Sequence, residues 1–85
     1  MDVETLIQES EAIADTSATL SDMTASSAND LAHISQALAS LTRGSHSGGI
    51  AAAATMEAAR ALKTASSTAF EMKRTAESYA KELTK

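Results

Sequence analysis

Stepping through the first half of the chain at alternating intervals of three and four gives Val3, Leu6, Ser10, Ile13, Ser17, Leu20, Thr24, Ser27, Leu31, Ile34, Leu38 and Leu41, and none of them is charged. The same spacing in the second half gives Ala51, Thr55, Ala58, Leu62, Ala65, Ala69, Met72, Ala76, Tyr79 and Leu83, again without a charge. A period of 3.5 residues kept for so long is the signature of a helix with a coiled-coil seam. The alternation of two that a strand needs is absent, and alanine is a poor strand former.

Between the seams lies Thr42-Arg43-Gly44-Ser45-His46-Ser47-Gly48-Gly49, which holds all three glycines of the chain. Gly44 suits the left-handed position beyond a helix C-terminus, Arg43 stands where a cation meets the negative end of the helix dipole, and Ser47 is a candidate N-cap. Asp2 is a candidate N-cap for the first helix. The reading is therefore an all-α, antiparallel two-helix hairpin occupying residues 1–85 as one unit. Helix 1 covers about 2–42, the turn 43–49 with Gly44, Gly48 and Gly49, and helix 2 about 50–84. The polar run Thr24 to Asp30 leaves open whether helix 1 is continuous, since Ser27-x-x-Asp30 resembles a helix start even though the heptad phase passes through it. Folding about residue 46 pairs positions whose numbers add to about 92 or 93, which sets Leu31 against Leu62, Leu20 against Met72 and Ile13 against Tyr79.

Composition narrows what such a hairpin does. Alanine, serine and threonine supply 41 of the 85 residues, there is no Cys, Pro or Trp, and Phe and Tyr occur once each. A disulfide framework, a thiolate metal site and an aromatic nucleic-acid surface are excluded. The residues larger than alanine that can fill a core are few, so the core is thin and a partner or an oligomer is expected to complete it. Net charge is −4, which disfavours nucleic acid. Its distribution is uneven, −6 over residues 1–43 and +2 over 44–85, so the two arms attract each other. Glu9, Glu11 and Asp15 are expected to face Lys73, Arg74 and Lys81 across the hairpin. No stretch has the length and apolarity of a membrane span, and the acidic start does not resemble a secretory signal. The expected location is cytoplasmic, or secreted by a route independent of a signal peptide.

Candidate chemistry is sparse. His33 and His46 have no second ligand at helical spacing, so no metal is expected, and no cofactor-binding or catalytic motif occurs. The expectation is a protein that is not an enzyme. Ile7, Met23, Met56 and Phe70 are large apolar residues that miss both seams, and they are the candidates for binding a partner, because a two-helix rod offers nothing else to bury them against. Tyr79 and Glu82, three apart near the C-terminus, lie on one helical face.

Two helical arms, a glycine-containing midpoint turn and a lone aromatic near the C-terminus resemble the small helical-hairpin proteins of type VII secretion in Gram-positive bacteria, the WXG family and its relatives encoded beside LXG toxins. Gly44 and Gly48-Gly49-Ile50-Ala51-Ala52 stand where that family has its Trp-x-Gly turn. With no Trp in the chain, the resemblance is to the Trp-less, Ser/Ala-rich accessory proteins. It implies a targeting partner, or chaperone, that binds the helical N-terminal domain of an LXG toxin and contributes to its export. It also makes Tyr79 with Glu82 an offset candidate for the C-terminal export signal, since the family's aromatic-x-x-x-acid spacing would put the acid at Leu83. The alternative is a self-assembling coiled-coil subunit, in which hairpins pair as a homodimer, form a four-helix bundle or stack into a secretion filament. A second small hairpin protein is a further candidate partner.

Overall fold

A computed structural model describes residues 2–85 as two long helices, α1 from Val3 to Leu41 and α2 from His46 to Leu83. They pack along their whole length as an antiparallel hairpin with extents of 63 × 17 × 12 Å. Among the described residues there is no strand. Helix α1 runs unbroken through Thr24 to Asp30, which closes the question the polar run had left open. Where that run is weakest in propensity, the Thr24 hydroxyl donates to the carbonyls of Leu20 and Ser21 and so stays with the helix backbone instead of competing with it.

The ends are capped by local chemistry. The Asp2 carboxylate accepts from Thr5 N–H at 2.7 Å, as its position suggested. At the turn the expectation needs correction. Helix α2 starts at His46, and its N-cap is Ser45 rather than Ser47. The Ser45 hydroxyl accepts from Gly48 N–H at 3.1 Å. The turn is therefore short, and of the three glycines Gly44 alone has positive φ, at 86°. Gly48 and Gly49 belong to the first turns of α2. Gly48 is buried because α1 ends against it. A Cβ built on Gly48 would overlap the Thr42 side chain, whereas one on Gly49 meets nothing.

Starting α2 earlier shifts the register. The Ser21 hydroxyl donates to the Ser66 carbonyl at 3.0 Å, the Ser66 hydroxyl returns a bond to the Ser21 carbonyl at 2.8 Å, and the Ser35 hydroxyl donates to the Ala52 carbonyl at 2.7 Å. Both pairs join positions adding to 87, so the expected register of 92 to 93 is corrected by five or six residues. The pairings Leu31 with Leu62, Leu20 with Met72 and Ile13 with Tyr79 give way accordingly.

The seam itself is rotated by one row, a row being a set of residues seven apart. On α1 the row Ser10, Ser17, Thr24, Leu31, Leu38 stays at the interface as expected. Its companion is Ala14, Ser21, Ala28, Ser35, Thr42, and not Ile13, Leu20, Ser27, Ile34, Leu41. On α2 the row Thr55, Leu62, Ala69, Ala76, Leu83 is kept, and its companion is Ala52, Ala59, Ser66, Lys73, Ala80 in place of Ala51, Ala58, Ala65, Met72, Tyr79. The buried core is consequently made of alanine and serine, led by Ala69 at 2% exposure, and among the described residues no large side chain is fully buried. Small residues at the contact let the two backbones approach closely enough for a serine hydroxyl of one helix to reach a carbonyl of the other. Leucines at those positions would hold the helices too far apart for those bonds.

Candidate partner-binding groove

Turning the small row inward turns a bulky row outward. Ile13, Leu20, Ile34 and Leu41 on α1, and Met72 and Tyr79 on α2, are all exposed, from 47% at Leu20 to 84% at Leu41. The outward rows of the two helices lie on the same side of the hairpin. Near its open end they enclose a groove of about 600 Å³ whose apolar walls are Leu6 and Ile13 from α1 and Met72 and Tyr79 from α2, with Ser10 and Ala76 as a floor of small residues. A second hollow of about 280 Å³, lined by Ile13, Ser17, Leu20 and Met72, continues it toward the turn. Two carboxylates, Glu9 and Glu71, stand at the rim, and no base lines either hollow.

The four residues chosen from the sequence as partner-binding fall in three places. Ile7 is half-buried in the same row as Ala14 and Ser21, at the contact between the helices. Met23 is exposed at 63%, one helical turn from Leu20 and beside the groove face. Met56 and Phe70 share a row on the opposite side of α2, where Met56 is half-buried and Phe70 exposed. The Lys73 ammonium lies 5.4 Å from the Phe70 ring centre, a cation–π distance. The residues sequence reasoning placed in the core instead of the groove are Leu6, Ile13, Leu20, Met72 and Tyr79. A signal for them was available, because the row Ile7, Ala14, Ser21, Ala28, Ser35, Thr42 is also free of charge. The uncharged sector of α1 is three rows wide at this point, and a seam between two helices fills only two.

Tyr79, proposed with Glu82 as an export signal, forms part of the groove wall, while Glu82 is bound to Lys85 at 3.1 Å on the surface. The expected pairing of Glu9, Glu11 and Asp15 with Lys73, Arg74 and Lys81 is not formed. Among the described residues the ion pairs are Glu57 with Arg60 and Glu82 with Lys85, each within one helix. The lateral offset of the bases accounts for this. Arg74 and Lys81 are exposed, Arg74 lining a small surface hollow with Glu71 of its own helix, and Lys73 is turned toward Phe70. His33 lies in mid α1 and His46 at the start of α2, both exposed. The carboxyl of Asp2 has a lowered pKa. The Thr5 backbone N–H, reinforced by the Thr5 side chain, holds it below the ordinary 3.8.

Fold and groove together define the class: an all-α helical hairpin with a small-residue core and one unpartnered apolar face. Among the described residues no helix is long and apolar enough to cross a membrane. No protein-family pattern, curated protein or solved structure matches the chain.

Proposed function

We propose that this hairpin is a non-enzymatic adaptor that packs its apolar face alongside another helical chain, and that this chain is the helical N-terminal domain of an LXG-type toxin whose export by type VII secretion it assists. One observation carries the first part. Ile13, Leu20, Ile34, Leu41, Met72 and Tyr79 stay 47–84% exposed on one side of the helix pair, so the two-helix unit leaves a row of large apolar side chains partly in water. Each such side chain is worth about 1.5–3 kcal/mol on full burial, a gain the hairpin alone collects only in part. A third or third-and-fourth helix laid on that face collects it. The second part rests on the resemblance of the chain's architecture to the Trp-less accessory proteins, and it names the partner to try first.

The test is co-expression with the helical domain of an LXG toxin encoded beside the gene. Co-purification that is lost in Ile13→Asp or Met72→Asp, with helicity by circular dichroism unchanged, is the expected result. Failure of the wild-type chain to co-purify, together with toxin export that is indifferent to deletion of the gene, rejects the proposal.

A further inference from the structure

Resting on the adaptor reading, we infer the chemistry of what it holds: the groove accepts an amphipathic helix whose apolar stripe is flanked by lysine or arginine, and not a second copy of this chain. The argument is the sign of the charge around the groove. Of the residues that line it, the charged ones are Glu9 on α1 and Glu71 on α2, one on each bank. Neither takes part in an ion pair among the described residues. None of the six bases of the second arm lines the groove: Arg60 is on Glu57, Lys85 on Glu82, Lys73 over the Phe70 ring, Lys63 in the same row as Phe70 on the opposite side, and Lys81 and Arg74 are exposed outside it, Arg74 sharing a small surface hollow with Glu71 without an ion pair. An approaching helix therefore meets apolar walls between two carboxylates, with no base in the groove itself.

The dimensions suit one helix. From Leu6 to Leu20 the α1 bank advances fourteen residue steps, which at about 1.5 Å each is about four turns. The floor of Ser10, Ser17 and Ala76 lies between larger walls, and such a hollow receives a leucine-sized side chain as a hole receives a knob. Bases one turn to either side of that stripe reach Glu9 and Glu71. A second copy presenting the same face brings its own Glu9 and Glu71 over this one, carboxylate against carboxylate, on a chain that already carries −4.

The probes are three dye-labelled eighteen-residue peptides sharing one leucine/alanine heptad stripe and differing only in flanks of Lys, Gln or Glu, titrated by fluorescence anisotropy into the full chain. The Lys-flanked peptide is expected to bind about fivefold more tightly than the Glu-flanked one at low salt, with the gap closing near 0.5 M NaCl. The double variant Glu9→Lys/Glu71→Lys should reverse that order, both positions being exposed and so free to change without unfolding the chain, and Ile13→Ser should weaken all three peptides. A Glu-flanked peptide that binds as tightly as the Lys-flanked one, or an order unmoved by the double variant, overturns the inference. So does a wild-type dimer in sedimentation velocity that Ile13→Ser dissolves, since the face would then belong to a second copy. These results leave the adaptor reading standing as long as the toxin domain still co-purifies. If neither the peptides nor that domain binds, both fall.

Discussion

Two adjacent glycines at the start of α2 should respond to the same substitution with opposite sign. Replacing glycine by alanine within a helix ordinarily stabilises it by roughly 0.5–1 kcal/mol, because the unfolded chain has less freedom to lose. At Gly49 the new methyl meets open space, so Gly49→Ala should deliver that gain. At Gly48 the methyl would occupy the volume of Thr42 Cβ and Oγ1. Rotating Thr42 about χ1 relieves the Oγ1 overlap alone, since Cβ is fixed to the α1 backbone. The end of one helix must then move away, and overpacking of this kind costs about 1–3 kcal/mol. Set against the propensity gain, Gly48→Ala should leave the hairpin less stable by about 1–2 kcal/mol. For a chain of this size that is a fall in Tm on the order of 5–15 °C. Thermal unfolding followed by circular dichroism at 222 nm measures it, with Gly49→Ala as the control. A double-mutant cycle with Thr42→Gly, which removes the obstructing side chain, should return a favourable coupling of about 1 kcal/mol or more. If Gly48→Ala melts at or above the wild type, in step with Gly49→Ala, the close approach of α1 to the start of α2 is wrong, and the short turn that sets the register is wrong with it.

The remaining predictions concern the core, the caps and the outer faces. Ala69→Leu should destabilise by about 1–3 kcal/mol in denaturant unfolding because no space exists at 2% exposure, whereas Ile13→Ser should cost well under half of the 2–5 kcal/mol typical of truncating a buried isoleucine. Ser21→Ala and Ser66→Ala should each cost about 0.5–1.5 kcal/mol and be non-additive in a double-mutant cycle, since their hydroxyls also lie 3.2 Å from each other. The carboxyl of Asp2 has a lower pKa folded than unfolded, so its stabilising effect is complete above the ordinary 3.8 and fades as pH falls through the lowered value; the stability difference between wild type and Asp2→Ala, measured from pH 7 to pH 2, should shrink over that acidic window. Phe70→Asp should preserve helicity, because Phe70 is exposed on the side opposite the groove; retention of toxin-domain binding in this variant alongside its loss in Ile13→Asp would assign docking to the groove face, and the reverse pattern would assign it to the face of Met56 and Phe70.

The turn illustrates where periodicity stops being informative. Gly44, Gly48 and Gly49 read as one flexible segment because glycine is a strong breaker signal on its own. Ser45 decides otherwise: its hydroxyl can cap the Gly48 N–H as soon as the chain leaves the left-handed Gly44, so the helix restarts at His46. A glycine inside that first turn serves not flexibility but the nearness of Thr42, a contact between residues of different helices that no local pattern encodes. The ion pairs expected between arms failed for a related reason. Which acids meet which bases depends on register and on the rotation of each helix, and a shift of five residues turns the rows past one another.

By itself the amino-acid order determined that there are two helices, that the chain turns near its midpoint glycines, that the helices lie antiparallel, and that charge is excluded from one sector of each. These follow from local propensity and from a 3.5-residue period sustained through both arms. Which rows meet was decided only when the helices packed: on α1 the choice fell within the uncharged sector, and on α2 it took in a row that contains Lys73. Alanine and serine allow the backbones to close in until hydroxyls reach carbonyls across the interface, as Ser21, Ser35 and Ser66 do, and that approach shuts the bulky row out. Spacing cannot distinguish a small row from a large one when both are uncharged. Side-chain volume at the contact can, and it is why Ile13, Leu20, Met72 and Tyr79 face outward, lining a groove instead of filling a core.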